Sequence, residues 1–166
     1  MKLSRRFLSV WLLLALSALL LTACADDTVT YKTDAAAVSV LEACASPLAS
    51  YALLSPADED YITYRMMLDT STVESYAVYI QNAGTSIDEI GIFQCPSDDT
   101  AAITAMVEDY LSRRNDEWTG QYLVEEYPKL ENAEYRVIGR YVVYGILSDT
   151  DKETLFTGAE NYLTLE

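Results

Sequence analysis

The apolar positions of this chain fall into blocks of two different periods. From Ala35 to Ser50, the residues Ala37, Leu41, Cys44 and Leu48 recur at three- and four-residue spacing, which makes one stripe along a helix. Pro47 marks a point where that helix is apt to stop early. Ser55-Pro56-Ala57-Asp58 has the form of a helix start, with a Ser cap, Pro at the first position and an acid three residues after the cap. It predicts a short helix over 58–68. Between Val73 and Gln81 the period drops to two: Tyr76, Val78 and Ile80 point one way, Ala77 and Tyr79 the other, as in a strand. Asn82-Ala83-Gly84-Thr85 turns the chain into a second strand over 87–94, with Ile90 and Ile92 on one face and Phe93 on the other. So short a connection makes the pair antiparallel.

Pro96-Ser97 opens the clearest helix, in which Ile103, Met106, Val107, Tyr110 and Leu111 lie at i, i+3, i+4, i+7 and i+8. Arg113 and Arg114 near its later turns suit the helix dipole. Trp118 and Tyr122 extend the stripe across a weakening Gly120, and Tyr127-Pro128 closes any helix there. Residues 133–138 and 140–147 read as a second strand pair around Gly139. The later of these is apolar on both faces, which places it centrally in a sheet. Ser148-Asp149-Thr150-Asp151 begins a last helix with the stripe Leu155, Ala159, Tyr162 and Leu163. The order helix, short helix, strand, strand, helix, strand, strand, helix predicts an α+β fold. Its sheet is mostly antiparallel and four-stranded, packed with helices, in a single domain over 34–166. A chain of this size buries about two-thirds of its unfolded surface, so it needs no disulfide or metal to fold.

The first residues follow another logic. Lys2, Arg5 and Arg6 precede an apolar run from Phe7 to Leu21, 15 residues long, and no acid occurs before position 24. A comfortable membrane span takes roughly 20 residues, so the run fits the core of an export signal. It ends in Leu21-Thr22-Ala23-Cys24, which resembles the lipobox of bacterial lipoproteins. That resemblance implies a diacylglyceryl thioether on the Cys24 thiol and cleavage between Ala23 and Cys24. Residues 1–23 are then a lipoprotein signal peptide and 24–33 a polar tether. The domain sits on the extracytoplasmic face of the cell membrane, held there by its lipid. An uncleaved anchor helix, or an ordinary secretory signal with an incidental Cys, remains the alternative.

The hairpin ESYAVYIQNAGTSIDEIGIF from Glu74 to Phe93, the helix AAITAMVEDYLSRR, the Tyr127-Pro128 element and VIGRYVVYGILSD from Val137 to Asp149 carry a family resemblance. They resemble an uncharacterised family of lipoproteins from low-GC Gram-positive bacteria, the domain-of-unknown-function family numbered 4358. The resemblance implies a surface lipoprotein with no assigned activity, and no catalytic motif comes with it. Cys44 and Cys95 are departures from its pattern.

Charge and composition narrow the chemistry. The chain has no His, which removes Ser-His-Asp and Cys-His nucleophile systems and every His-ligated metal site. Its formal charge is -15. Because three of its 11 bases precede residue 24, the rest carries 8 bases against 26 acids, a balance of -18. That balance argues against nucleic acid and favours a basic protein or cell-envelope partner. Asp149, Asp151, Glu153 and Glu160 partly match calcium-loop spacing, but position six is Thr154 rather than Gly, and a capped helix start accounts for them. Asp58-Glu59-Asp60 and Asp98-Asp99 read the same way, as acids in first turns of helices. Of 13 Tyr, those at 76, 110, 141, 144 and 162 fall on strands or stripes and read as packing; Tyr31, Tyr51, Tyr61 and Tyr64 are unplaced. Cys44 and Cys95 are expected to stay unbonded. No catalytic residue, metal ligand or cofactor site stands out. The reading is a non-enzymatic binding or interaction domain. The alternative is a hydrolase that acts on wall or glycan through two carboxylates, and the sequence places no such pair.

Overall fold

The computed structural model describes residues 29–81, 84–119 and 123–165. The expected signal peptide, Cys24 and the first part of the tether lie outside the described residues, as do Asn82-Ala83 of the first turn, Gly120 and Tyr122.

Five strands form one antiparallel sheet in the order β1-β2-β3-β5-β4. They are β1 (Leu54–Pro56), β2 (Ser75–Gln81), β3 (Glu89–Gln94), β4 (Glu134–Ile138) and β5 (Tyr141–Ile146). Helices α1 (Ala37–Ala45) and α4 (Asp149–Leu163) pack on one face. Helix α2 (Ala101–Asp116) and a π-helical turn at Tyr61–Arg65 pack on the other. A short α3 (Tyr127–Glu131) precedes β4.

Alternation within the strands sends side chains to two separate cores. Ala77, Ile90, Ile92, Tyr141 and Val143 meet Val40, Leu41, Cys44, Leu155, Phe156 and Ala159 on the α1/α4 side. Val78, Phe93, Val142 and Tyr144 meet Ile62, Met66, Ile103, Val107 and Tyr110 on the other side. Every residue of β3 and β5 is buried, because both faces of those strands are covered. Each large apolar side chain so buried contributes about 1.5–3 kcal/mol. The central position expected for 140–147 is met: β5 pairs with β3 on one side and β4 on the other.

Several expectations are corrected. The sheet has five strands rather than four, because Ser55-Pro56 extends along β2, with Pro56 opposite Tyr79, instead of starting a helix. Proline is tolerated there because β1 is an edge strand, where its missing N–H breaks no ladder. The helical bonding that follows is shorter than 58–68. Asp58 Oδ1 accepts from Tyr61 N–H at 2.8 Å, and Met66 N–H reaches back five residues to Tyr61 O at 2.9 Å. Tyr127-Pro128 begins α3 rather than ending a helix, with Pro128 in the first turn, where no N–H is needed. Helix α1 stops at Ala45, short of Pro47, and α2 starts at Ala101, not at Ser97.

Cys44 lies in the core under α4 and Cys95 in the core under α2, so the sheet separates them and both are free thiols. The chain from Thr30 onward is bonded to the end of α4. Leu165 N–H donates to Thr30 O at 2.8 Å and Lys32 N–H to Leu163 O at 2.7 Å, and Tyr31 pairs with Thr164.

Candidate functional site

The α1/α4 core is almost free of polar atoms, whereas the α2 core surrounds a carboxylate. Glu89 opens β3 on the same face as Gly91 and Phe93, and it is 1% exposed. Its Oε1 accepts from Tyr144 OH at 2.5 Å and from Tyr110 OH at 2.7 Å. Its Oε2 accepts from Tyr61 OH at 2.9 Å and lies 3.7 Å from Arg114 Nη2. Tyr61 and Tyr110 are themselves 2.7 Å apart through their hydroxyls. Three hydroxyl protons thus serve four oxygen–oxygen contacts, and Tyr61 has two acceptors to choose from.

Four elements build this cluster. β5 supplies Tyr144, α2 supplies Tyr110 and Arg114 one turn apart, the π-turn supplies Tyr61, and β3 supplies Glu89. Gly91 makes room for it. It pairs with Tyr144 across β3 and β5, and a Cβ at position 91 would lie 1.9 Å from Tyr144 Cε1. Arg113 ties the π-turn to α2 through Nη1 to Arg65 O at 3.0 Å and Nη2 to Met66 O at 3.3 Å.

Burial, reinforced by the charge of Glu89, pushes the Tyr110, Tyr144 and Tyr61 hydroxyls well above the ordinary phenol range. Burial works against the charge of Arg114. The hydroxyl oxygen of Tyr110 and the carboxylate of Glu89 more than offset that and hold its pKa above the ordinary value. A carboxylate held by three phenols in a low-dielectric core is stable only as a set, since orphaning a buried charge costs about 3–5 kcal/mol.

A pocket of about 290 Å³ opens beside the cluster, between the β2–β3 connection and the end of α2. Tyr61, Glu89 and Arg114 form one side, and Ile80, Ile87, Trp118 and Leu123 supply apolar walls. Leu123 reaches it with a left-handed backbone, φ 51 and ψ 47, a strain of roughly 1–2 kcal/mol for a residue with a Cβ. The second carboxylate at the pocket, Asp88, accepts from Lys129 Nζ at 2.7 Å. Lys129 also holds Glu126 at 2.7 Å, and Glu126 in turn accepts from Ser86 Oγ at 2.7 Å. This fastens the β2–β3 connection to α3.

The sequence-level candidates are dispersed. Asp149 pairs with Lys152 Nζ at 3.0 Å, and Ser148 Oγ accepts from Asp151 N–H at 3.2 Å, so these residues cap α4. No group of three or more potential metal ligands occurs among the described residues. Asp99 Oδ1 accepts from Ala101 N–H at the start of α2. Tyr31 covers Gly139, Tyr51 stacks on Tyr79, and Tyr64 is exposed, so the unplaced tyrosines form no common platform. Tyr31 and Tyr51 pack against the α1/α4 core, and Tyr61 is the one of the four that reaches Glu89. No local sequence pattern singles out Glu89. The available signal was a single acid at an inward position of a strand whose other inward positions are apolar, beside a strand rich in Tyr.

The family model of a domain of unknown function (DUF4358) matches residues 48–147, more than half of the chain, and the chain belongs to that family. The matched span holds all five strands, α2, α3 and every member of the Glu89 cluster, and leaves α1 and α4 outside. Neither the curated proteins nor the solved structures give a match to this chain.

Proposed function

We propose that this chain is a lipoprotein held on the extracytoplasmic face of the membrane through Cys24, and that its domain binds rather than catalyses. The observation that carries the anchor is Leu21-Thr22-Ala23-Cys24 after a basic start and a 15-residue apolar run. No helix among the described residues is long and apolar enough to cross a membrane, which is compatible with a lipid in that role. Two acyl chains are what make such an anchor durable, at ~0.8 kcal/mol per buried methylene. Since the chain is bonded to the domain from Thr30, the six residue steps from Cys24 to Thr30 bound its reach. At about 3.3 Å each, they keep the domain within roughly 20 Å of its lipid.

Binding is favoured over hydrolysis by the state of the two carboxylates at the pocket. Glu89 is surrounded by phenol donors and Asp88 is paired with Lys129, so neither stands free as a general acid or base opposite the other. The -18 balance after the signal favours a basic protein or cell-envelope partner. Mass spectrometry of the native N-terminal peptide tests the anchor: Cys24 carrying diacylglyceryl at the mature N-terminus is the expected result. Cys24→Ala abolishes labelling by a fatty-acid probe. An unmodified Cys24, or a mature N-terminus elsewhere, removes the lipoprotein reading.

A further inference from the structure

The two edges of the sheet are closed very differently. β1 is three residues long and carries Pro56, whereas β4 runs for five residues without a proline. Ile138 stands opposite Tyr141 across the Gly139-Arg140 turn. A pair that closes a two-residue hairpin exchanges both of its hydrogen bonds, and every second residue after it does the same. Ile138, Arg136 and Glu134 are therefore bonded inward to β5. Cys95 N–H donates to Arg140 O at 2.9 Å, which fits that phase, because it leaves the other set of β5 residues to β3. The N–H and C=O of Tyr135 and Val137 point away from the sheet, and no hydrogen bond among the described residues takes them up. The Val137 side chain is 45% exposed beside them.

Charge is unbalanced on both sides of this edge. Towards α4, Lys152 Nζ serves two acids, Asp149 at 3.0 Å and Glu134 at 3.7 Å, and Arg136 is matched by Glu153 at 2.8 Å. Three acids thus face two bases. Towards α2, Glu108 accepts from Tyr135 OH at 2.5 Å and enters no ion pair among the described residues. One uncompensated negative charge remains on each face.

We propose that the open edge of β4 takes an extended basic segment of a partner protein as a sixth strand, bonded to the backbone of Tyr135 and Val137. The proposal deepens the binding reading above, on which it rests, and is independent of the anchor at Cys24. Successive residues of a strand point to opposite faces. Two adjacent bases in the segment therefore reach Glu134 on one face and Glu108 on the other, and an apolar residue covers Val137. In strand addition the backbone bonds supply affinity and the side chains supply the choice of segment. A second copy of the chain is a poor occupant, since each copy carries the -18 balance after its signal and the same surplus acids at this edge.

Nuclear magnetic resonance titration of the isotope-labelled full chain in zwitterionic detergent tests this. The probe is acetyl-Val-Thr-Lys-Lys-Val-amide, built to lie antiparallel with its first lysine opposite Tyr135. At low salt it is expected to bind with a dissociation constant of about a millimolar, to shift the amides of Tyr135 and Val137 and to slow their hydrogen exchange. N-methylation of the first lysine, whose N–H meets Tyr135 O, should weaken it at least tenfold. N-methylation of the threonine, whose N–H points away from β4, should not. Glutamates in place of both lysines should weaken binding at least tenfold, and Glu134→Gln and Glu108→Gln severalfold each. Val137→Pro removes only an outward N–H, leaves the β4–β5 ladder complete and should weaken the probe at least tenfold. If that variant does not fold, the two N-methylated probes decide the matter on the wild type. A basic probe indifferent to the position of the N-methyl group, or shifts centred elsewhere, overturns the edge and leaves a basic partner at another surface. Equal binding of the acidic probe overturns the proposal through its charge. Shifts of Tyr135 and Val137 on raising the chain concentration without probe give the edge to a second copy and overturn it too. No binding of the basic probe at tens of millimolar overturns the edge and removes the support for a basic partner with it.

Discussion

The two faces of the sheet are packed by opposite means. On the α1/α4 face, the helices approach closely enough that a Cβ at Gly158 would lie 3.1 Å from Cys44 Cα, and the contact is made by Ala, Leu, Val, Phe and Cys. On the α2 face, the helix stands on tyrosines whose hydroxyls converge on one carboxylate. Close apolar packing tolerates changes of partner when volume is kept, and it specifies little beyond shape. A hydrogen-bonded cluster around a charge fixes each member's position, because any one left out strands the others. The face that carries the pocket is therefore the rigidly specified one, and it lies wholly within the family's matched span.

Removing the centre of the polar face should have the largest effect. Glu89→Ala leaves three buried hydroxyls without their acceptor and Arg114 without its ion-pair partner, and should cost about 3–5 kcal/mol in urea unfolding. Phe156→Ala on the dry face should cost a similar 3–5 kcal/mol through a cavity. The two losses differ in kind. Filling the Phe156 cavity with Leu should restore most of the stability. At Glu89 only Gln, which keeps an acceptor, should restore part of it, and Leu should not. Recovery by Leu at position 89 would show that the cluster is packing and not polar organisation.

A second difference is the response to alkali. Tyr110 and Tyr144 keep their protons in the folded chain above the pH at which an unfolded tyrosine, with its ordinary value of 10.0, releases one. The folded state then binds more protons, so their contribution is full below pH 10 and is lost as pH rises toward the raised values. Each costs about 1.4 kcal/mol per pH unit once the unfolded tyrosine is ionised. Cys44, pushed up to about 12 by burial on the dry face, adds a loss of the same sign between its ordinary 9.0 and that value. Unfolding free energies between pH 10 and 11.5 should therefore fall steeply, and Tyr144→Phe should make the slope shallower by about 1.4 kcal/mol per unit. An unchanged slope in that variant would mean that Tyr144 titrates normally.

Much of this architecture is legible in the residues, and the illegible part has one cause. The two hairpins and α2 follow from period, and α4 from period and its Ser148 cap, since each is set by neighbours along the chain. Ser55-Pro56 is ambiguous because a Pro after a Ser satisfies both a helix start and an edge strand, and only the presence of β2 beside it decides. Tyr127-Pro128 carries the same ambiguity: a proline ends the helix before it or begins the one after it. The Glu89 cluster joins positions 61, 89, 110, 114 and 144, which no local pattern connects. What brings them together is the pairing of β3 with β5 and the crossing of α2 above them. Chain-local signals carry no information about that crossing.

The smallest expected effects separate the faces most cleanly, because they come from adding one methyl group to each. At Gly91 a Cβ would sit 1.9 Å from Tyr144 Cε1, 2.6 Å from Cζ and 2.7 Å from Cδ1, so the ring has to move. Its hydroxyl is then pulled from Glu89 Oε1. Gly91→Ala should cost about 1–3 kcal/mol, the usual range for overpacking. At Gly158 the nearest atoms are Cys44 Cα and Cβ, both at 3.1 Å, so α1 and α4 need separate by only a few tenths of an ångström. Against that strain, alanine in place of glycine inside a helix gains about 1 kcal/mol. Gly158→Ala should therefore be close to neutral in urea unfolding. Measured in the same buffer, Gly91→Ala should also change the tyrosine near-ultraviolet circular dichroism, as Tyr144 leaves its place, whereas Gly158→Ala should leave that signal unchanged. A neutral Gly91→Ala with an unaltered tyrosine signal would mean that the ring has room to yield, and the contrast between a specified face and an adaptable one would fail.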